Sequence, residues 1–323
     1  MKLLVTGAAG FIGSNFVRMI AKGGLQGVSS VTVLDKLTYA GVRANLDSAS
    51  NISRYKFIHG DICDPLVVSN LLTDVDAVIN FAAESHVDRS ISGAVDFVQT
   101  NIVGVQVLLD AIKASGKSIR FLQISTDEVY GSIGSGSWSE ESPLQPNSPY
   151  SASKASGELI ARSYNKTHGI DVVVTRCSNN YGIHHFPEKL IPLFITNLIE
   201  GKKVPVYGTG ENVRDWLHVD DHCRGIYLAL MNGNSGEVYN IGGGRELTNN
   251  EITSLILEAM SADKSSIEYV EDRKGHDLRY SVDWAKINLE LGYEPQIKFE
   301  DGLRETIQWY RDNQAWWKPL KSR

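Results

Sequence analysis

The chain has 323 residues, of which 42% are hydrophobic and 22% charged, and its formal net charge is −6. This length allows a large core in one or two domains, and the slight acidic excess argues against nucleic-acid or membrane-surface binding. We expect no membrane span, because no apolar stretch reaches the roughly 18 residues that a span needs. The three cysteines Cys63, Cys177 and Cys223 are widely spaced, which favours free thiols in the cytoplasm.

Short apolar runs alternate with helical patterns through the first half of the chain. The runs carry Val, Ile, Leu and Phe on both faces, which is typical of parallel strands covered by helices on both sides. The predicted strands are 2–6, 30–35, 55–58, 76–81, 119–125 and 171–176. The predicted helices between them are 11–22, 94–115 and 151–168. This alternation predicts an α/β fold with a doubly wound parallel sheet of the Rossmann type.

The alternation loosens after about residue 178. Segments that contain Gly or Pro read as connectors, namely IPLF (191–194), VPVYGTG (204–210) and GGGREL (242–247). Helices are expected near 220–232, 248–261 and 300–313, and GEVYNIGGG (236–244) still predicts a strand. The polar, turn-rich segment 131–149 is a long loop of the kind that is usually functional or mobile.

These patterns predict two domains. The first is the doubly wound domain, formed by 1–178 with a returning segment near 215–242. The second is a smaller, more irregular domain of mixed α/β structure at the C-terminal side, formed by 179–214 and 243–323.

A glycine-rich turn follows the first predicted strand. In VTGAAGFIG, Gly7, Gly10 and Gly13 let the backbone turn tightly and approach a pyrophosphate at the helix N-terminus. The spacing is GxxGxxG, and glycines alone also fit a turn that binds nothing. Asp35 ends the second strand, 22 residues after Gly13, where its carboxylate can bind both ribose hydroxyls and repel a 2′-phosphate. The order of these features predicts NAD binding. Asp61, after the third strand, fits either an adenine contact or an Asx-turn.

A tyrosine and a lysine lie four residues apart in SPYSASKASGELIA. Tyr150 and Lys154 therefore share one face of a predicted helix. A tyrosine with a pKa of about 10 is a poor base at neutral pH, and a nearby ammonium should lower that pKa. Such a pair also occurs by chance on helix surfaces, so its meaning depends on the NAD signature and on Thr126.

Seven further motifs carry a family resemblance that runs almost end to end. They are FAAESHVDRSI (81–91), STDEVYG (125–131), PYSASKA (149–155), SNNYG (178–182), FPEKLIPL (186–193), NVRDWLHVDDHCRGI (212–226) and RKGHDLRY (273–280). With TGAAGFIG, they make the chain resemble the extended short-chain dehydrogenases/reductases and, more narrowly, the dTDP-glucose 4,6-dehydratase family. Ala8, Ile183 and Lys274 depart from the usual glycine, proline and proline, and none of them removes a group that the chemistry needs.

The resemblance implies a role for adjacent acids after the fifth strand. Asp127 and Glu128 can flank one pocket only if the strand ends near Ser125 and Thr126 opens a helical turn. From spacing alone, a solvated helix N-terminus explains them equally well. The resemblance makes Asp127 the acid and Glu128 the base of a dehydration, with Tyr150 and Lys154 in the hydride-transfer step.

The resemblance also implies the binding residues for NAD and for dTDP-glucose. The cofactor residues would be Gly7, Gly10, Phe11, Ile12, Gly13, Asp35, Lys36, Thr38, Asp61, Ile62, Ala82, Ala83, Thr100, Tyr150, Lys154 and Asn180. The substrate residues would be Ser85, His86, Thr126, Asn179, Lys189, Leu190, Pro205, Tyr207, Arg214, Asn249, Arg273, His276 and Tyr280. Arginine suits the diphosphate because its planar fork matches phosphate oxygens, although each cation taken singly also fits a surface salt bridge.

Assembly, metal binding and rival functions complete the expectations. By resemblance, helices 94–115 and 151–168 would pair with their copies in a homodimer. No metal is expected, because neither His184–His185 nor the pair His218 and His222 has a plausible ligand set. The alternatives are another nucleotide-sugar 4,6-dehydratase, a 4-epimerase or a non-catalytic NAD-binding protein.

Overall fold

The computed structural model describes residues 1–322 and contains strands that form one large parallel sheet and two smaller sheets. In chain order the strands are β1 (Lys2–Thr6), β2 (Ser30–Asp35), β3 (Tyr55–His59), β4 (Ala77–Asn80), β5 (Arg120–Thr126), β6 (Val172–Cys177), β7 (Asn179–Tyr181), β8 (Val204–Tyr207), β9 (Val213–His218), β10 (Val238–Ile241), β11 (Glu246–Thr248) and β12 (Ile267–Val270). The large sheet has seven strands in the order β10-β6-β5-β4-β1-β2-β3, and the two smaller sheets have the orders β11-β9-β7 and β12-β8.

Helices cover both faces of the main sheet and build most of the C-terminal part. The α-helices are α1 (Phe11–Ala21), α2 (Pro65–Leu71), α3 (Val87–Ser92), α4 (Val95–Val98), α5 (Gly104–Ser115), α6 (Pro149–His168), α7 (Leu190–Ile199), α8 (Val219–Asn232), α9 (Asn249–Met260), α10 (Ala285–Leu291), α11 (Phe299–Asp312) and α12 (Gln314–Trp317). Short 3₁₀ helices span Arg43–Asn51, Leu72–Asp74, Asp127–Tyr130, Lys264–Ser266 and Lys318–Ser322, and a π-turn spans Gln99–Val103.

The two faces of the sheet form separate cores because side chains alternate along each strand. On β5, Leu122 packs into the core under α1 and α8, whereas Phe121 packs into the core under α2, α5 and α6. A third core lies in the C-terminal part between α7, α9 and α11. The strand order reverses between β1 and β4, and ligands bind at such a reversal, outside the carboxyl ends of the strands.

The strands predicted in the first half are confirmed, each to within one residue, and so is the doubly wound sheet. The connectors predicted in the second half were wrong in part: IPLF lies in α7, VPVYGTG begins with β8, and GGGREL runs into β11. Pro192 lies in the first turn of α7, where backbone N–H groups have no intrahelical acceptor to lose. The segment 236–244 does contain a strand, β10, which joins the main sheet beside β6. The strand β9, where the predicted returning segment begins, lies instead in the three-stranded sheet.

The expectation that no stretch is long and apolar enough for a membrane span was also wrong. Residues Val95–Ser115 form a 21-residue helical stretch with a mean hydropathy of 1.3. Its inner face packs in the core through Val105, Leu108, Leu109 and Ile112. Core helices of globular proteins have this same length and composition.

Candidate active site

Two adjoining cavities open at the carboxyl ends of the sheet strands. The first cavity, of about 300 Å³, is lined by all the residues predicted to bind the cofactor, from Gly7 to Asn180. The second cavity, of about 250 Å³, is lined by all the predicted substrate residues except Thr126, which lines the first. Several residues line both cavities, including Glu128, Asn179 and Lys189. The sites predicted separately are therefore neighbours in space.

The glycine turn leaves room and free donors at one end of the first cavity. Gly7 has φ +67°, and a Cβ there would approach the backbone nitrogen of Ala82 to 2.4 Å, so no larger side chain fits. Helix α1 begins directly afterwards, and Gly10 caps it without a side-chain hydrogen bond. The first N–H groups of α1 therefore remain free for the phosphate oxygens of a dinucleotide.

The acidic end of β2 forms another wall of the first cavity. The Asp35 carboxylate accepts hydrogen bonds from the backbone nitrogens of Ala9 and Leu37, both at 2.8 Å, and burial raises its pKa. These bonds fix the carboxylate where the ribose of a dinucleotide would lie. Asp61 forms an Asx-turn through its hydrogen bond from the nitrogen of Cys63 at 2.9 Å and also lines the cavity. The Asx-turn is therefore present, and the position of Asp61 on the cavity wall leaves it accessible to a ligand.

The start of α6 holds what we call the hydride pair, Tyr150 and Lys154. A capping box between Ser148 and Ser151 begins the helix immediately beside Tyr150. The Lys154 ammonium donates to the carbonyl oxygen of Ile124 on β5 at 2.6 Å, which ties the helix to the sheet.

The ionisation of the hydride pair differs from the prediction. Burial and the charge of Glu128 raise the pKa of Tyr150 well above its usual value, while a hydrogen bond with Thr126 acts in the opposite direction. Burial lowers the pKa of Lys154 to about 8. The expected lowering of the Tyr150 pKa is therefore absent in the chain alone, because desolvation of the phenolate outweighs the neighbouring donors.

The acids Asp127 and Glu128, which we call the acid–base pair, both line the first cavity. The strand β5 ends at Thr126, one residue later than predicted, and a 3₁₀ turn starts at Asp127. The Thr126 hydroxyl caps that turn by accepting from the backbone nitrogen of Glu128 at 3.4 Å. The change from strand to turn is what brings the adjacent side chains to one cavity.

Burial raises the pKa of both members of the acid–base pair, but the charges around the two carboxyl groups differ. Burial and the neighbouring Glu128 raise the pKa of Asp127 well above its usual value, and its Oδ2 has no hydrogen-bond partner within residues 1–322. Burial also raises the pKa of Glu128, but Arg214, Lys189 and Arg273 oppose that shift. A neutral acid beside a carboxylate is the arrangement that paired acid and base catalysis needs.

Three cations surround the second cavity. Arg214 donates to the carbonyl oxygens of Val213 at 2.7 Å and Asp277 at 2.9 Å, and it forms no salt bridge within residues 1–322. Lys189 donates to the carbonyl oxygen of Ser85 at 2.9 Å. These two cations keep their charge available for an anion such as a diphosphate.

The third cation is held differently. Arg273 pairs with both oxygens of Asp88, at 2.5 and 3.1 Å, and lies 5.4 Å from the ring centroid of Tyr207. Tyr207 and Arg273 therefore form one wall of the second cavity. His86 also lines this cavity, and burial lowers its pKa to about 3, so this imidazole is neutral.

The sequence reading missed several residues at the cavities. Glu188 lines both of them, and His185 stacks on Phe11 with a centroid distance of 4.1 Å. Trp316 also lines the first cavity, and its indole nitrogen donates to the side-chain oxygen of Asn45 at 2.9 Å. Glu188 lies inside a quoted motif and could have been found there, whereas nothing in the sequence links Trp316 to Asn45.

Metal ligation finds no support in the part of the chain that the structure describes. No group of three or more His, Cys, Asp or Glu side chains within residues 1–322 is placed to hold an ion. The buried His222 instead shares a hydrogen bond of 2.9 Å with Asn180.

Comparison with known proteins adds relatives of similar length. The family described as GDP-mannose 4,6 dehydratase matches residues 4–306. The dTDP-glucose 4,6-dehydratase of Streptomyces niveus is 57% identical over 100% of this chain and 96% of that protein. The chain belongs to the dTDP-glucose 4,6-dehydratase family. The Actinoplanes sp. member of this family is 58% identical over 98% of this chain and 100% of that protein.

Solved structures agree with this membership. DesIV, the dTDP-glucose 4,6-dehydratase of Streptomyces venezuelae solved with NAD and TYD bound, has a TM-score of 0.97 and 57% identity, and covers 99% of this chain and 100% of that chain. The UDP-glucuronic acid 4-epimerase of Bacillus cereus has a TM-score of 0.89 and 31% identity, covering 97% and 99%. The 4,6-dehydratase family and the epimerases thus share one extended short-chain dehydrogenase/reductase fold.

Proposed function

We propose that the protein uses NAD to convert dTDP-glucose into dTDP-4-keto-6-deoxy-glucose, a hydro-lyase reaction of deoxysugar biosynthesis. The observation that carries the proposal is that the acid–base pair lines the first cavity together with the hydride pair, and that Glu128 also lines the second cavity. Moving a hydride needs only Tyr150 and Lys154, whereas expelling water also needs an acid and a base. Membership of the dTDP-glucose 4,6-dehydratase family supports the same reaction.

The residues of the first cavity fit a dinucleotide. The free N–H groups of α1 suit the pyrophosphate, Gly7 leaves the space it needs, and Asp35 is fixed to bind the ribose hydroxyls. A bound NAD would supply the acceptor for the hydride of the sugar C4 and the donor of that hydride to C6. We place the nicotinamide near Tyr150 and Lys154, which line the same cavity.

The chain performs the proton transfers. Tyr150 takes the proton of the sugar 4-hydroxyl. Because burial raises the pKa of Tyr150 in the chain alone, this step requires the Lys154 ammonium and the positive charge of a bound nicotinamide ring to stabilise the phenolate, while the Thr126 hydroxyl orients the oxygen. The new 4-ketone makes the C5 proton acidic, and Glu128 removes it as a carboxylate; C5 takes up a proton again when the hydride returns to C6. Asp127, protonated because burial and Glu128 raise its pKa, gives its proton to the departing 6-hydroxyl. Each group of this kind contributes about 10²–10⁴-fold to the rate.

The second cavity would hold the nucleotide sugar. Arg214 and Lys189 are the cations that remain for the diphosphate, and Tyr207 and Arg273 form a wall suited to the base and its linkage. The assignment of thymidine rests on the family, since no contact in the cavity reads the base directly. We also propose the domain division 1–178 with 215–242, and 179–214 with 243–323, which puts each cavity mainly in one domain.

We infer a homodimer in the cytoplasm. Three apolar side chains on α4 and α6 are exposed: Val95 (80%), Val98 (47%) and Leu159 (52%). Pairing these helices with their copies would cover these side chains, which is the usual reason for such a surface. The three free cysteines suit a reducing compartment.

A 4-epimerase is the second candidate, since the fold and the hydride pair are compatible with it. Mass spectrometry of the product separates the two, because epimerisation conserves mass and dehydration removes one water. We expect purified protein to convert dTDP-glucose into a product lighter by one water, and to act more slowly on UDP-glucose and GDP-mannose. A product of unchanged mass would contradict the proposal.

A further inference from the structure

A buried charged network lies behind the acid–base pair and takes no part in the proposed chemistry. Arg176 on β6 and Glu158 on α6 are fully buried and form a two-point ion pair, in which Nε lies 3.0 Å from Oε2. The same guanidinium donates from Nη1 to the hydroxyl of Tyr130 at 2.5 Å. None of these three side chains lines either cavity.

The network joins the two backbone segments that carry the chemistry. Glu158 lies on the buried face of α6, four residues after Lys154 and eight after Tyr150. Tyr130 ends the 3₁₀ turn Asp127–Tyr130, which begins with the acid–base pair. The ion pair holds one of these segments, and the hydrogen bond holds the other.

Arg176 is placed where it can bind both segments. Its register partner on β5 is Ser125, two residues before the 3₁₀ turn. The next residue, Cys177, lines the first cavity, and because side chains alternate along a strand, Arg176 points to the opposite face, toward α6. On β10, Asn240 accepts a hydrogen bond of 2.8 Å from the Tyr130 hydroxyl, which fixes the far side of the network.

Stability alone is a weak explanation for these charges. Burying an ion pair costs desolvation, and well-packed apolar side chains of similar volume often stabilise a protein equally well or better. A fully satisfied polar network differs from apolar packing because its hydrogen bonds fix distances and directions. A displacement of about 1 Å between reacting groups can cost about 10²-fold in rate, so fixed spacing has value here.

We propose that Arg176 is a positioning residue that, through Glu158 and Tyr130, sets the spacing between the hydride pair and the acid–base pair. The proposal rests on the proposed function. Loss of the contact between Arg176 and Tyr130 leaves the hydride pair and the acid–base pair each intact on its own segment. Elimination needs both pairs aligned on one sugar, so this loss slows elimination more than it slows hydride transfer.

The first test is Tyr130→Phe, which removes only the hydroxyl and keeps the ring 4.6 Å from the guanidinium carbon of Arg176. In single-turnover mixing with dTDP-glucose, reduced-nicotinamide absorbance reports hydride transfer and rapid quench reports elimination. We expect elimination to fall tenfold or more, about 10–100-fold, with hydride transfer changed less than about twofold. The matched control is Tyr293→Phe, which removes a buried hydroxyl that donates to Gly242 at 2.9 Å, outside both cavities, and should leave the ratio of the two rates unchanged.

The second test asks whether the residues act as one link. Arg176→Lys keeps a charge for Glu158 but cannot reach Tyr130 as well, so it should slow elimination selectively. The double variant Tyr130→Phe/Arg176→Lys should lose no more than the worse single variant, because residues of one network are not additive. Melting temperatures, measured in parallel, report any loss of stability separately from the rate ratio.

The outcomes are distinguishable. Equal slowing of both steps, no slowing, or multiplied losses in the double variant would overturn the positioning role. If Tyr130→Phe does not accumulate as folded protein, the rate ratio of Arg176→Lys decides alone. A wild-type protein that removes no water from dTDP-glucose would instead overturn the proposed function.

Discussion

Adjacent acids at one site are both buried, and the charges that surround them differ. Asp127 is buried with one unpartnered oxygen and a charged neighbour, and its pKa is raised well above the usual value. Glu128 faces three cations that oppose the effect of burial on its pKa. These differing neighbours fit the proposed roles of Asp127 as the acid and Glu128 as the base.

Asp127→Asn should separate the two halves of the reaction. The amide cannot donate the proton that the 6-hydroxyl needs, so elimination should fall by about 10²–10⁴-fold while reduced nicotinamide still forms. Tyr150→Phe is the contrasting variant, because it should block the first step and give no reduced nicotinamide. Rapid-quench kinetics that show undiminished dehydration in Asp127→Asn would refute the acid assignment.

The pH dependence of elimination tests the base. Glu128 must be a carboxylate to remove the C5 proton, so the rate is lost as pH falls through its pKa in the complex. Arg214→Gln removes the cation that most opposes burial, so the pKa of Glu128 should rise and the acidic limb of the kcat profile should move to higher pH.

Arg245→Gln is the matched control for that pH profile. Arg245 pairs with Glu300 at 3.1 Å and lines neither cavity, so its loss should leave the limb in place. An acidic limb that stays fixed or moves to lower pH in Arg214→Gln would show that Glu128 is not the group that titrates.

At the scale of elements, the site depends on how α6 packs against the π-turn Gln99–Val103. A Cβ added at Gly157 would lie 2.2 Å from the carbonyl oxygen of Asn101, so the helix can approach the turn only with glycine there. The side chain of Asn101 also donates to Ser153 on α6 at 2.8 Å. This close approach positions the start of α6, where the hydride pair lies.

Gly157→Ala should therefore destabilise the protein, although alanine is the better helix former. We expect a loss of about 1–3 kcal/mol in the free energy of unfolding, as for other overpacked sites, measured by thermal or denaturant unfolding. Gly93→Ala is the control, since no atom lies within 4 Å of a Cβ there. A variant as stable as the wild type would show that α6 can move away from the turn without cost.

Local patterns were enough to predict the parts of the site that are close together in the sequence. The glycine turn, Asp35 and the Tyr150–Lys154 spacing each follow from strand and helix periodicity, and all of them line the predicted cavity. The prediction that Asp127 and Glu128 share one cavity depended on a change from strand to turn after Thr126. The spacing of the residues alone did not decide whether this change occurs.

Long-range contacts and ionisation could not be predicted in this way. Trp316 meets Asn45 across 271 residues, and Arg176 meets Tyr130 across 46. No local periodicity encodes such contacts. The raised pKa of Tyr150 was also missed, because it depends on burial that only the folded chain creates.

At the scale of the whole molecule, the exposed apolar side chains on α4 and α6 predict self-association. Leu159→Glu would place a charge in the proposed helix-pairing surface and should convert dimers into monomers in sedimentation experiments. The control Leu289→Glu changes an 83% exposed leucine on α10, outside that surface, and should leave the assembly unchanged. A monomeric wild-type protein, or a dimer that survives Leu159→Glu, would contradict the proposed interface.

The central claim is that oxidation at C4 makes a C5 proton removable, so that Glu128 and Asp127 together expel a hydroxyl. Incubation with dTDP-glucose in deuterated water, followed by mass spectrometry and NMR of the product, tests it most directly. The account predicts a 4-keto-6-deoxy sugar that has lost one water, carries deuterium at C5, and has the former C4 hydrogen at C6. A nucleotide sugar recovered without loss of water, or a dehydrated product without deuterium at C5, would contradict it.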